Sequence, residues 1–309
     1  MSTMFDFGNG PVPARQHPNG GGWVADTATV AETAFVCPNA QVFGKARVYG
    51  NALVADDARV FGNARVFGDA RVFGDGWVSD DALVAGNAEV YGNAEVSDDA
   101  RVYGNAEVYG NARLFGNARL FGNARVSDNA RVYGNARVSD NALVFVNAEV
   151  FGNAWVAGDA SVFDNAEVFD DAEVFDDAEV YGNASVADDA RVFGNARVFG
   201  NARVFGDAEV SGDARVSGDD EACGAEDAVE KEKVPKKVED LIVEEQTVIY
   251  KDKNGKMFST KQEAIDSSVK ILMTDLLLRE NLVDMKSVAE FLVDNSEEVV
   301  NILSNLTES

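Results

Sequence analysis

The sequence predicts an all-β solenoid built from a six-residue unit, and three observations predict it. Between positions 24 and 216 every sixth residue is aliphatic, thirty-three consecutive slots filled by valine except at Leu114 and Leu120. Between positions 28 and 214 the residue two before each of these is alanine, Gly76 being the one exception. Gly or Asp followed by Asn or Asp recurs between the apolar pairs, as in Gly68-Asp69 and Gly74-Asp75. Apolar residues at i and i−2 with period six fit neither an amphipathic helix nor a hairpin sheet, but do fit a coil of short strands and corners.

Each element follows from the unit. In Ala64-Arg65-Val66-Phe67 alternation sends Ala and Val inward, Arg and Phe outward. This predicts a four-residue strand and a two-residue corner, where Gly, Asn and Asp tolerate positive φ. Three units close a triangle of 18 residues, giving about eleven coils and a length of roughly 50 Å at the usual strand spacing. The ends of such a stack need caps. Residues 1–22, rich in Gly and Pro, are expected to form an irregular N-terminal cap, with Trp23 closing the first coil. The repeat occupies 23–218, and a charged linker is expected over 219–246. Residues 247–309 predict a small α+β module. It begins with a hairpin around Asn254-Gly255, and a helix follows, opened by a capping box of Thr260 and Glu263, with Ile265, Val269, Leu272 and Leu276 on one side. Two shorter helices around 285–293 and 297–306 complete it. Its expected job is docking or oligomerisation.

The chain carries a net charge of −26, so direct binding to nucleic acid or an anionic membrane is not expected. Two cysteines, Cys37 and Cys223, make no disulfide framework and suit a reducing compartment. No stretch is long and apolar enough to span a bilayer, and the start lacks the regions of a signal peptide. The expected location is the cytoplasm, that of the host if the chain is phage-encoded.

The pattern Val-x-Gly-Asn-Ala-x resembles the hexapeptide repeats of left-handed parallel β-helix proteins over about residues 23–218. That resemblance implies a triangular, left-handed helix. The head, FGNGPVPARQHPNGGGWVADTATV, is similar to that of hexapeptide-repeat proteins of phages, prophages and bacteria. The slot after each aliphatic residue departs from the family's enzymes, being mostly Phe or Tyr here. The best known members are acyltransferases with a repeat-region histidine as general base, and carbonic anhydrases with three histidines on zinc. This chain has a single histidine, His17, in the head. No catalytic residue, cofactor or metal is therefore expected, and a divergent acyltransferase ranks last among the readings.

Residues 18 apart stack on one face, so the surface reads as columns. Arg101, Arg119 and Arg137 form one column, beside Tyr103, Phe121 and Ser139; Arg113 and Arg131 stack on a second face and Arg125 on the third. Adjacent guanidinium and aromatic columns suit an anionic or planar ligand; alternatively the arginines pair with turn aspartates and neighbouring aromatics. From Arg137 to Arg191 there is no intervening Lys or Arg, only acidic residues, so the charge is banded. Asp80-Asp81 over Asp98-Asp99 is a weak candidate for a hard cation, with turn chemistry as the plainer explanation. Outward Phe and Tyr on all faces predict an interface. The partner is a protein or a second copy, with a trimer as the first expectation by resemblance. The function expected is a non-catalytic binding or structural scaffold. The alternative is an antagonist of a host factor, by acidic mimicry of nucleic acid or by sequestering a phosphorylated small molecule.

Overall fold

The computed structural model describes residues 3–223 and two short strands further on, Tyr250–Lys251 and Met257–Phe258. The chain divides into two units, Met1–Val234 and Pro235–Ser309. In the second, Tyr250 pairs with Phe258 and Lys251 with Met257, antiparallel. The helices expected after Thr260, and most of the linker at 219–246, lie outside the described residues.

The first unit is a parallel β-solenoid of about eleven turns, with no helix among the described residues. Three sheets form its faces. The first holds fourteen strands, the second and third eleven each, and every third strand in sequence is a neighbour in space. The Val–Ala pairs are inside. Val, Leu and Ala of the repeat are almost all fully buried in one continuous core, with Leu114 and Leu120 its largest side chains. Every outward residue sits in register 18 positions from its equivalent.

Most strands are two residues long rather than four. The ladder nevertheless continues around the corners. Arg101 N–H donates to Ala118 O at 2.9 Å, Tyr103 N–H to Leu120 O at 3.0 Å, and Asn105 N–H to Gly122 O at 2.7 Å. Each coil is thus pinned to the next at alternate residues, corner included, which keeps its geometry uniform. From Gly44 to Gly218 the first corner slot has positive φ. Glycine fills most of these slots, nine aspartates fill others, and Val146 fills one at φ 63°. Stacking is close: a Cβ at Gly110 would lie 2.8 Å from the backbone nitrogen of Asp128. Where aspartate replaces glycine, its carboxylate often takes a backbone N–H of the next coil. Asp56 accepts from Gly74 at 3.0 Å, Asp98 from Gly116 at 2.9 Å and Asp188 from Gly206 at 3.0 Å.

Both ends differ from expectation. The head is not irregular. Strand β1 (Thr3–Asp6) and strand β2 (Pro11–Gln16) form an antiparallel hairpin, which continues the first face onto β3 (Trp23–Ala25). Trp23 does not close the first coil. It points outward and stacks on Phe5 at 4.2 Å, while Phe7 stacks on Phe43 at 4.9 Å, so these rings anchor the hairpin to the face. The open end is covered by the loop after β2, where Asn19 O accepts Val36 N–H and Asn19 Nδ2 donates to Ala34 O. At the other end the repeat runs past Gly218. Glu221–Cys223 pairs with Arg203–Phe205, and Ala222 occupies the next aliphatic slot, fully buried.

Candidate partner-binding face

The second face is where the sequence-predicted residues come together. Arg101, Arg119 and Arg137 lie in direct register on adjacent strands. All three are exposed, and none has a side-chain ion pair, hydrogen bond or cation–π contact among the described residues. Arg47 and Arg65, also in register, extend this set beyond Leu83.

The other two faces differ. Arg113 reaches Glu95 at 3.5 Å, Arg125 reaches Glu107 at 3.4 Å, and Arg131 reaches Glu149 at 3.3 Å. Arginines there do pair, but with strand glutamates one coil away rather than with turn aspartates. Two of these glutamates also hold a tyrosine. Tyr91 donates to Glu107 at 3.2 Å and Tyr133 to Glu149 at 2.9 Å. Partial burial, reinforced by the adjacent carboxylate, pushes both phenols up to about 12.

Most of the aromatics form intrachain ladders, while Phe35, Tyr49, Phe67, Trp77 and Trp155 stay exposed. Phe115, Tyr133, Phe151 and Phe169 stack at 4.8–5.0 Å on the first face. Phe145, Phe163, Tyr181 and Phe199 do so at 4.9–5.1 Å on the third. The rings are half-buried because neighbours cover their faces. Tyr103 and Phe121 stack likewise, at 5.2 Å and 5°. That spacing leaves no room for a planar ligand between the two rings.

One residue here was not singled out from sequence. Trp155 follows Arg137 in the same column and Glu173 follows Trp155. Its indole is about 41% exposed and is oriented by Nε1–H donating to Ser139 Oγ at 3.1 Å. Ser139, itself buried, donates to Asp140 at 3.0 Å. An open groove of about 420 Å³ runs past this indole, lined by Arg137 on one side and Asp171, Glu173 and Asp189 on the other. The signal in the sequence was a tryptophan in a slot otherwise held by Arg and Glu.

The remaining candidates resolve into structural roles. Asp80 and Asp98 occupy positive-φ corner slots, Asp80 accepting from the Ser79 hydroxyl and Asp98 from Gly116 N–H. Neither they nor Asp81 and Asp99 converge with a third ligand: among the described residues no group of three His, Cys, Asp or Glu side chains could hold a metal ion. His17 is buried in the head, its Nδ1–H donating to Asn19 O at 3.1 Å.

A family model described as the YdcK beta solenoid repeat matches residues 46–60, 58–74, 64–80, 118–134, 124–139 and 130–145. Those residues are about a fifth of the chain, and the match agrees with the three in-register sheets. The chain is a repeat β-helix protein. The two matched blocks carry four of the five arginines of the second face that lack an ion pair among the described residues, Arg47, Arg65, Arg119 and Arg137. No curated protein and no solved structure matches the chain.

Proposed function

We propose that this solenoid is a non-catalytic scaffold that binds a macromolecule through its second face. One observation carries the reading. A fold that pairs the Arg113, Arg125 and Arg131 side chains with glutamates leaves Arg101, Arg119 and Arg137 unpaired in one row. Stacked like charges repel, by about 1 kcal/mol or less each when solvated. A row kept without a counter-charge is suited to receive one from outside, where complementary charge sets orientation and encounter rate. The placement of the single histidine in the head, away from the repeat, supports the non-catalytic part. A phage or prophage origin and a cytoplasmic location belong to the same reading. Mimicry of nucleic acid is less favoured, because most strand glutamates are neutralised by an arginine one coil away.

Affinity capture on the immobilised chain, followed by mass spectrometry, tests this. The expected result is salt-sensitive capture, lost when Arg101, Arg119 and Arg137 are all changed to Gln and kept when Arg113, Arg125 and Arg131 are. Equal capture by both variants, or turnover in an acyl-transfer assay that depends on His17, would overturn it.

A further inference from the structure

The row of arginines is one half of a face whose other half is its electrostatic complement. Along the central column of the second face the order is Arg101, Arg119, Arg137, Trp155, Glu173, Arg191, Glu209. Arg191 lies between Glu173 and Glu209, at 3.1 and 3.4 Å, so its charge is already met within the chain. Beside this column runs the corner that precedes it, which changes from Asn117, Asn135 and Asn153 to Asp171, Asp189 and Asp207 at the same level. The column is therefore basic before Trp155 and largely acidic after it, with an exposed indole at the boundary, while the corner is acidic after Trp155 and also at Asp99 beside Arg101.

We propose that two copies of this chain dock antiparallel through their second faces, with the two-fold axis at Trp155. This rests on the reading above, for it names the partner of the same arginine row. The axis lies in the interface plane, along the strand of Trp155, so it reverses the order along the column and leaves each corner over a corner of the facing copy. Arg137 then faces Glu173 of the second copy, and Arg101 faces Glu209. Arg119 faces the compensated Arg191, but the corner carboxylate of Asp189 falls beside it, over Asn117. Asp171 falls likewise beside Arg137, over Asn135, and Asp207 falls beside Arg101, over Asp99. Each arginine of the row acquires a carboxylate, twice over by symmetry, as an isologous interface requires.

The centre suits an interface too. Trp155 meets its own symmetry mate, with the small residues Ala157 and Asn153 on either side and the groove of about 420 Å³ to receive the second ring. A tryptophan already held by its Ser139 hydrogen bond loses little freedom on docking, and Trp and Arg are the residues that dominate contact energies. Seven coils span roughly 30 Å. A face of that length and three side chains wide falls below the ~800 Å² per partner of a standard interface, so the dimer is weak and salt-sensitive.

Light scattering and sedimentation of the full chain as a function of concentration and salt test this. The expected species is a dimer, twice the 33.0 kDa chain mass, forming at micromolar concentration and low salt. Arg137→Glu sets like charges opposite each other at both symmetric positions and weakens the dimer at least about tenfold. Glu173→Arg does the same and leaves Arg191 its contact with Glu209. An equimolar mixture of the two variants restores dimers, because each supplies what the other lacks. A trimer, a chain monomeric at every concentration, or variants that fail to rescue one another overturns the antiparallel dimer. If the chain is monomeric while capture of a foreign partner still depends on the arginine row, self-docking fails and the scaffold reading stands. If neither is seen, both fail.

Discussion

Arg131 and Arg137 are six residues apart in one coil, on identical backbone, with the same aliphatic neighbour behind each. Arg131 looks along its face to Glu149, which it meets at 3.3 Å; Arg137 looks to Trp155 and meets no carboxylate. In a solenoid the residues 18 positions to either side decide whether a surface charge is spent inside the chain or left for a partner. The first and third faces are largely spent. The second is spent only near its end, at Arg191.

Four substitutions break or sharpen this contrast, two acting on the shared scaffold and two on the charges it carries. The largest effect comes from Val138→Asp, directly behind Arg137. Val138 is fully buried in an apolar core with no polar group to meet a carboxylate. The expected cost is several kcal/mol, enough to unfold the neighbouring coils, and both faces lose their order together. Circular dichroism during thermal melting checks it; a native-like melt would show that the faces do not share one core.

Val146→Gly should strengthen the scaffold without touching any charge. Val146 is a β-branched residue at φ 63°, in a corner slot that elsewhere holds glycine or aspartate. Left-handed backbone costs an L-residue roughly 1–2 kcal/mol, and glycine returns part of that to its own unfolded-state entropy. A net gain of about 1 kcal/mol is expected from denaturant titration, with capture by the second face unchanged.

Trp155→Glu converts the second face into the type seen on the first, by giving Arg137 a carboxylate one coil on. Stability should change little, within about 1 kcal/mol, as for exposed pairs generally. Binding should fall, because one arginine of the row is then spent. Undiminished capture would locate the docking face elsewhere.

The solenoid was legible because its rule is short-range: six residues fix what points in and what turns. Its partnerships at i+18 were only partly legible. The register put Arg113, Arg125 and Arg131 on the right faces, yet whether a guanidinium meets a strand glutamate or a turn aspartate depends on side-chain reach, which periodicity does not encode. The ring ladders escaped for a related reason. Alternation says that Phe151 points outward, but coils spaced at stacking distance let Tyr133 and Phe169 cover it. The hairpin of the head has no repeat to announce it. Pro11 and Pro13 hide β2, and only the contacts of Phe5 and Phe7 with Trp23 and Phe43 reveal why it folds back.

Glu149→Gln has the smallest effect on stability and the most specific signature. It removes the charge that Arg131 and Tyr133 share, freeing Arg131 into the condition of Arg137. An exposed pair of this kind contributes about 0–1 kcal/mol, so the melt should move little. The phenol is the sharper reporter. Burial is the first cause of its rise to about 12, and the Glu149 hydrogen bond and charge come next. In the variant the ultraviolet titration of Tyr133 should therefore drop toward the ordinary value near 10 without reaching it. The sign for stability follows from linkage. A phenol whose folded-state pKa lies above its unfolded value stabilises the fold fully below about 10, and loses that contribution as pH rises toward 12. The wild-type chain should lose stability over that alkaline window, and the variant should lose less of it there. If both titrate and melt alike, Glu149 is not holding Tyr133, and the contrast between the faces rests on geometry alone.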